Sequence, residues 1–134
     1  MATILLVDDD PLQAMARKSL LEKTFFDVQR VQDAAEALCL IEQRSFAENL
    51  ALVISGHHRP GLGGPAFVAE VCARMPQLPV LVLGSSCETP EDYPSDQVCY
   101  VPLAIPGEEM VEVAGHLVAL HRIRNTGSHA RVKA

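Results

Sequence analysis

Short runs of apolar residues alternate along the chain with longer stretches in which apolar residues recur every three or four positions. Strands buried on both faces of a parallel sheet produce the first pattern, and amphipathic helices produce the second. The alternation therefore predicts an α/β fold, a doubly wound parallel sheet of five strands with helices on both faces. The predicted strands are Ile4–Val7, Phe26–Val31, Leu50–Ile54, Pro79–Leu83 and the weaker Val98–Val101.

The first two predicted helices begin directly after aspartates. Asp10 can accept hydrogen bonds from the free backbone N–H groups of a first turn, and Pro11 suits the first helical position. Asp33 gives the same signal for the second helix. Apolar residues then recur at helical spacing, Leu12, Met15, Ala16 and Leu20 in the first helix and Ala34, Ala37, Leu38 and Ile41 in the second.

Two further helices are predicted later in the chain. Pro65 starts one of them, and the last runs from about Glu108 to Arg124, with acids in its first turn and arginines in its last. Gly127 is predicted to end the last helix. The inward stripe predicted for the helix that Pro65 starts is Val68, Val71, Cys72 and Met75.

The alternation also calls for a helix between the fourth and fifth strands. Pro90 and Pro94 lie four residues apart in this segment and leave room for one or two turns at most. This fourth helix is therefore predicted to be shortened or absent.

Length and composition indicate one folded domain. The chain has 134 residues, of which 49% are hydrophobic and 21% charged, as in ordinary globular proteins. No apolar run reaches the ~18 residues of a membrane span, and no basic segment precedes the first apolar stretch, so we expect a cytoplasmic protein that does not enter membranes. The cysteines are too far apart for a disulfide framework or a metal clip and are predicted to be core or loop residues: Cys39, Cys72, Cys87 and Cys99.

The net charge of −6 is unevenly distributed. Residues 1–120 hold seven Lys or Arg against seventeen Asp or Glu, and residues 121–134 add four basic residues and no acid. The excess of acidic residues in residues 1–120 argues against nucleic-acid binding, which needs a dense positive surface. We expect residues 1–125 to form the domain and residues 126–134 a basic flexible tail or the start of a linker.

Candidate chemistry lies where the strands end, because ligands of open parallel sheets bind outside the carboxyl ends of the strands. Asp8 and Asp9 directly follow the first strand and could bind a hard cation such as Mg²⁺. A purely structural interpretation is equally open, in which Asp10 caps the helix and the other two aspartates are solvated turn residues.

Three segments resemble the receiver domains of response regulators in two-component signalling, and the resemblance covers about residues 2–122. They are Ile4–Pro11 with its three aspartates, the loop Arg59–Gly64, and Tyr100–Pro102, and Pro79–Leu83 also matches the family's fourth strand. The resemblance implies a flavodoxin-like sheet with strand order 2-1-3-4-5 and places the family's Mg²⁺ carboxylates on Asp8 and Asp9. It also implies a regulatory protein partner such as a histidine kinase or an output domain.

The resemblance does not extend to the residues that the family uses for phosphorylation. The position of the phosphoacceptor aspartate falls on Gly56, that of the hydroxyl residue after the fourth strand on Gly84, and that of the lysine on Leu103, while Tyr100 retains the aromatic switch position. Acyl-phosphate formation needs a carboxylate nucleophile and a cation for the developing charge. The resemblance thus predicts a pseudo-receiver without catalytic residues, not phosphorylated on the usual aspartate, with weak Mg²⁺ binding at most, that signals by protein–protein contact.

Other interpretations stay open at this point. His57 and His58 could join Asp8 and Asp9 in a metal or small-ligand site, or a histidine could carry a phosphoryl group. Phosphorylation of Asp8, Asp9 or a serine is a further alternative, and an enzyme ranks last because no nucleophile and base stand at convincing spacing. The glycines in Gly61–Ala66 match a dinucleotide fingerprint only loosely and are interpreted as a turn.

The resemblance further implies a contact surface. A receiver communicates through the face formed by the helix before the fifth strand, the fifth strand and the last helix. Because Pro90 and Pro94 interrupt that helix, we expect a face of altered shape, with Tyr93 and Tyr100 as candidate contact residues. Homodimerisation through this face is left open.

Overall fold

The computed structural model of the chain describes residues 2–25, 27–56, 64–84, 97–102 and 104–133. Five parallel strands form one sheet in the order β2-β1-β3-β4-β5, which confirms the predicted flavodoxin-like fold. The strands are β1 (Thr3–Val7), β2 (Asp27–Val31), β3 (Leu50–Gly56), β4 (Val80–Gly84) and β5 (Val98–Pro102). The helices are α1 (Pro11–Glu22), α2 (Ala34–Ile41), α3 (Arg44–Asn49), α4 (Gly64–Arg74) and α5 (Gly107–Lys133).

Two hydrophobic clusters cover the two faces of the sheet. Side chains alternate between the faces along each strand, so Leu5 and Val7 of β1 belong to one cluster and Ile4 and Leu6 to the other. Helices α2 and α4 complete the first cluster, and α1 and α5 complete the second. Because the apolar sides of the helices bury both faces of the sheet, neither face of the central strands contacts water. This explains why these strands are uninterrupted apolar runs.

The apolar face of α1 is not the one predicted. Leu12 and Met15 are 79% and 67% exposed, whereas Ala14 and Leu21 are buried. The inward stripe is thus Ala14, Arg17, Lys18 and Leu21, whose spacing of three, four and seven is as regular as that of the predicted set. The prediction was wrong because it counted apolar residues, whereas an arginine occupies the inward stripe.

Helix α4 follows the prediction more closely. Val68 and Val71 are buried, and Cys72 and Met75 are partly buried against the same cluster. The sequence interpretation did not include Phe67, which is fully buried and one of the largest side chains of the core.

Two helices differ from the prediction. The short helix α3 was not expected, since no residue of it is buried and Gln43 at its start makes no side-chain capping hydrogen bond. Helix α5 continues to Lys133 rather than ending near Arg124. Gly127 does not stop it, because a glycine inside a helix costs only about 1 kcal/mol relative to alanine. The division into a domain and a tail near residue 125 stays a prediction.

Two other predictions concern membranes and thiols. Within the ranges given above, no helix combines the length and the apolar character that crossing a bilayer requires. Cys39, Cys72 and Cys99 are free thiols. Cys87 lies outside the described residues, as do Pro90 and Pro94, on which the shortened fourth helix was predicted.

Candidate functional site

The carboxyl ends of the three central strands meet at one edge of the sheet. The register pairs Val7 with Ser55, and Gly56 with Leu83. Asp8, the residue after Val7, therefore lies level with Gly56, and Gly84 follows Leu83 at the end of β4. We call Asp8, Asp9, Gly56 and Gly84 the strand-end site.

Asp8 is buried, with only 5% of its surface exposed. One carboxylate oxygen, Oδ1, accepts a hydrogen bond from the backbone N–H of Asp10 at 3.0 Å. The other, Oδ2, accepts one from Nη1 of Arg17 at 3.0 Å. Both oxygens thus have partners within the protein, as a buried carboxylate requires.

The backbone of Asp8 is held as firmly as its side chain. The Asp8 N–H donates to the carbonyl oxygen of Val31 at 3.1 Å. The guanidinium of Arg30, on β2, donates from Nε and Nη2 to the carbonyl oxygen of Asp8 at 3.0 and 2.7 Å. Strand β2 and helix α1 therefore fix Asp8 from two sides, each with an arginine.

Asp10 caps helix α1, as the purely structural interpretation proposed. Its Oδ1 accepts hydrogen bonds from the backbone N–H groups of Leu12 and Gln13 at 3.0 and 3.3 Å. Asp9, between the two engaged aspartates, is exposed. The three aspartates thus have different surroundings: a buried ion pair, a solvated carboxylate and a helix cap.

Gly56 ends β3 next to Asp8 and offers no side chain to the site. Its carbonyl oxygen accepts a hydrogen bond from the hydroxyl of Ser55 at 3.3 Å, and Ser55 itself is buried. Across the part of the chain that the structure describes, no three His, Cys, Asp or Glu side chains lie close enough to share a metal ion. His57, His58 and Leu103 lie outside the described residues.

Gly84 is in close contact with Tyr100. The register pairs Tyr100 with Val82, two residues before Gly84 on the same face of β4, and the tyrosine ring covers the glycine. A Cβ atom at Gly84 would lie 2.6 Å from Cζ and 2.8 Å from Cε2 of that ring. The ring thus takes the space that the side chain of a hydroxyl residue at position 84 would need.

These residues do not fit a bound Mg²⁺ ion. Magnesium prefers octahedral coordination by carboxylates, substrate oxygens and waters. Both carboxylate oxygens of Asp8 already have partners, Asp9 is solvated, and Gly56 contributes no carboxylate. Arg17 and Arg30 add positive charge around Asp8, and this charge repels a metal cation.

A groove lies away from this site, between β5 and α5. It has a volume of about 510 Å³, and we call it the β5–α5 groove; it is lined by Cys99, Glu109, Glu112, Val113, His116 and Leu117. Burial raises the pKa of the Cys99 thiol above its usual 9.0, since desolvation disfavours the thiolate.

Comparisons with known proteins agree with this fold. The sequence profile of the response regulator receiver domain family matches residues 4–93. The fold is similar to a response regulator receiver domain protein from Clostridium thermocellum, with a TM-score of 0.79 and 18% identity over 92% of this chain and 98% of that one. A structure described as adenylate cyclase from Rhodopirellula baltica gives a TM-score of 0.88 and 18% identity over 98% of both chains.

A third similar structure belongs to a longer protein. NtrX from Brucella abortus gives a TM-score of 0.79 and 23% identity over 97% of this chain but 30% of that one. At such identities the likeness is one of fold. A comparison with curated proteins finds no match.

Because the family profile matches more than half of its residues, the chain belongs to the response regulator receiver domain family. It is a receiver domain of the kind used in two-component signalling. Domains of this family are signalling modules that interact with kinases and output domains, and their phosphorylatable members bind Mg²⁺ at the phosphorylation site.

Asp8, Asp9, Gly56 and Gly84 lie at the strand ends and Tyr100 lies on β5, while the roles that the resemblance gives them stay predictions. The resemblance was carried by a few sequence motifs. It did not identify Arg17 or Arg30, because neither belongs to the motifs that carried the resemblance. A signal for Arg17 was present in its spacing from Ala14 and Leu21, which places it on the stripe that α1 buries.

Proposed function

We propose that this chain is a pseudo-receiver: a receiver domain that is not phosphorylated on the usual aspartate and that signals by protein–protein contact. The observation that carries the proposal is Gly56, which ends β3 level with Asp8 and provides no carboxylate. Without a nucleophile at this position, an acyl phosphate cannot form there.

The surroundings of Gly56 support the same conclusion. Asp8 is neutralised by Arg17 rather than left as a free metal ligand, and the lysine position of the family is Leu103. A phosphoryl group placed here would therefore lack both its attachment point and its usual partners. The site has no nucleophile and base arrangement either, so we propose a signalling module rather than an enzyme.

Tyr100 supports a domain that stays in one state. Its ring covers Gly84 and so occupies the space in which a phosphate-sensing hydroxyl side chain would stand. The pair therefore lacks the side chain through which a phosphoryl group could act on the aromatic ring. A receiver of this kind depends on partner availability rather than on phosphorylation for its regulation.

The surface proposed for partner contact is the one that β5 and α5 present. The β5–α5 groove offers partly buried apolar side chains, Val113 and Leu117, beside the exposed carboxylates of Glu109 and Glu112. The proposed partner is a regulatory protein of a two-component system in the cytoplasm, a histidine kinase or an output domain, and homodimerisation is the alternative. The alternative function is a metal or ligand module that would use His57 and His58 together with Asp8 and Asp9.

Phosphorylation is tested with a small phosphodonor and Mg²⁺, followed by intact-mass spectrometry, with a receiver that retains its aspartate as positive control. We expect no phosphorylated species of this chain under conditions that label the control. Stoichiometric phosphorylation of an aspartate would refute the pseudo-receiver proposal.

The contact surface is tested by capture of partners from the native cell on the intact chain. Reversal of charge in the double variant Glu109→Lys with Glu112→Lys should abolish capture. Glu48→Lys, an exposed substitution on α3, is the matched control and should leave capture unchanged. The proposed surface would be contradicted if both variants lost partner capture to the same extent, or if neither variant lost it.

A further inference from the structure

The ion pair between Arg17 and Asp8 is a buried one. The side chains are 14% and 7% exposed, and Nη1 of Arg17 lies 3.0 Å from Oδ2 of Asp8. Surface ion pairs are screened by water and salt, but a pair removed from solvent interacts strongly and must be matched to avoid a large desolvation cost. The Arg17–Asp8 pair is therefore a structural part of the strand-end site and not a solvent-exposed surface contact.

The fold directs both partners to the same place. Asp8 follows the even-numbered residues of β1, Ile4 and Leu6, which face the layer that contains α1. Arg17 lies between Ala14 and Leu21 on the inward stripe of that helix. Because helical side chains lean toward the amino terminus of their helix, the guanidinium of Arg17 reaches back toward the strand ends and Asp8.

Arg30 adds a second positive charge at the same aspartate. It binds the carbonyl oxygen of Asp8 from the β2 side, while Arg17 binds the carboxylate from the α1 side. A divalent cation that approached Asp8 would have to displace a charged hydrogen bond from Oδ2 and remain near two guanidinium groups.

We propose that the guanidinium of Arg17 takes the place of the divalent cation at Asp8, so that this domain carries its own fixed cation. The inference deepens the proposed function and rests on it, since a receiver that accepts no phosphoryl group needs no exchangeable metal. The Arg17–Asp8 pair then maintains the strand-end site in the absence of Mg²⁺.

The wild-type protein tests this inference without any variant. Mn²⁺ is added to isotope-labelled protein, and line broadening is measured by NMR at the backbone amides of Asp8, Asp9 and Asp10 and at the side-chain Nε–H of Arg17. We expect no selective broadening at millimolar Mn²⁺, and no change in Tm on adding Mg²⁺ beyond that caused by NaCl of equal ionic strength. Selective broadening of these signals at submillimolar Mn²⁺ would overturn the inference.

Variants of Arg17 test the cause. Arg17→Gln removes the charge and should raise the affinity for Mn²⁺ by about 10- to 100-fold, the ratio that corresponds to one charged hydrogen bond. It should also lower Tm, and Mg²⁺ but not NaCl should restore part of the loss. Arg17→Lys is the matched control, because it keeps the positive charge and should leave the metal affinity at the wild-type level.

A double variant separates charge from packing. Arg17→Gln with Asp8→Asn leaves no uncompensated buried charge, so it should be more stable than Arg17→Gln alone and should not respond to metal. An Arg17→Gln protein without gain in metal affinity, or a double variant that gains as much as the single one, would refute the role of Arg17.

The two proposals fail in different ways. Phosphorylation of the wild-type chain refutes the pseudo-receiver but leaves the metal titrations to decide the role of Arg17. Metal binding by unphosphorylated wild-type protein at Asp8 refutes the role of Arg17 while Gly56 still lacks a nucleophile.

Discussion

Gly84 and Tyr100 depend on each other at the level of single atoms. Three atoms of the Tyr100 side chain, the hydroxyl oxygen, Cζ and Cε2, lie where they would collide with a Cβ atom at position 84. Either the ring or a side chain at position 84 can occupy this space, but not both. The absence of a hydroxyl side chain at position 84 is thus linked to the position of Tyr100.

Gly84→Ala should therefore displace the Tyr100 ring. The chain has two tyrosines and no tryptophan, so in a Tyr93→Phe background tyrosine fluorescence reports on Tyr100 alone. We expect faster quenching by acrylamide in the Gly84→Ala variant, because the displaced ring becomes more accessible.

Gly115→Ala is the control for that experiment. A Cβ atom there would make an ordinary contact with Phe25, at 3.9 Å, and alanine favours the helix by up to about 1 kcal/mol. This variant should retain wild-type quenching and be slightly more stable. Unchanged quenching in Gly84→Ala would show that the ring does not depend on the glycine.

Residue-level predictability depended on whether a residue belongs to a motif. Asp10 was predicted as a helix cap from its position before Pro11, and it is one. Gly56 was assigned to the phosphoacceptor position from its distance to the following loop. Arg17 could not be predicted as the partner of Asp8, since the pair forms across nine residues and depends on how α1 is rotated against the sheet.

At the scale of elements, the strands were predictable and the orientation of α1 was not. Strands buried on both faces must be apolar throughout, so their runs stand out in the chain. Helix α1 carries apolar residues on two sides, Leu12 and Met15 on one and Ala14 and Leu21 on the other. The second side faces the sheet, and the Asp8–Arg17 pair forms on that side.

Two leucines of α1 test this orientation. Leu21→Ala should lower the free energy of unfolding by about 2–5 kcal/mol, because it opens a cavity in the cluster between α1, α5 and the sheet. Leu12→Ala, the same substitution at a position that is 79% exposed, should change it by no more than about 0.5 kcal/mol. Urea denaturation of both variants measures the difference, and similar losses would mean that α1 is rotated differently.

The edge strand β5 gives a prediction for thiol chemistry. Burial raises the pKa of Cys99 and shields part of its thiol from reagents, whereas Cys39 is exposed. Cys99 should be alkylated more slowly, as measured by mass spectrometry of the modified peptides.

The same pKa shift predicts the direction of a stability change. A group with a raised pKa in the folded state stabilises the fold below its unfolded pKa, and this contribution is lost as the pH rises through the folded value. Wild-type protein should therefore lose stability above pH 9.0, and Cys99→Ala should lose less. Equal alkylation rates and equal alkaline losses would contradict the burial of this thiol.

At the scale of the whole molecule, the core and the strand-end site are separate. The two hydrophobic clusters that cover the sheet include neither Gly56 nor Gly84. The apolar side chains of these clusters hold the strands together, which explains how the receiver fold persists without the residues of phosphoryl transfer. For the same reason the fold could be predicted from apolar patterning, while the state of the site required the positions of individual side chains.

The central claim, that phosphate cannot change the state of this domain, is tested most directly with beryllofluoride, which mimics an aspartyl phosphate. Backbone NMR spectra of the intact chain are recorded with and without beryllofluoride and Mg²⁺, with a phosphorylatable receiver as positive control. We predict no chemical-shift changes at Asp8, Gly56, Gly84 or Tyr100 beyond those caused by salt of equal ionic strength. Saturable shifts at these residues, as in the control, would show that the site accepts a phosphoryl group and would contradict the account.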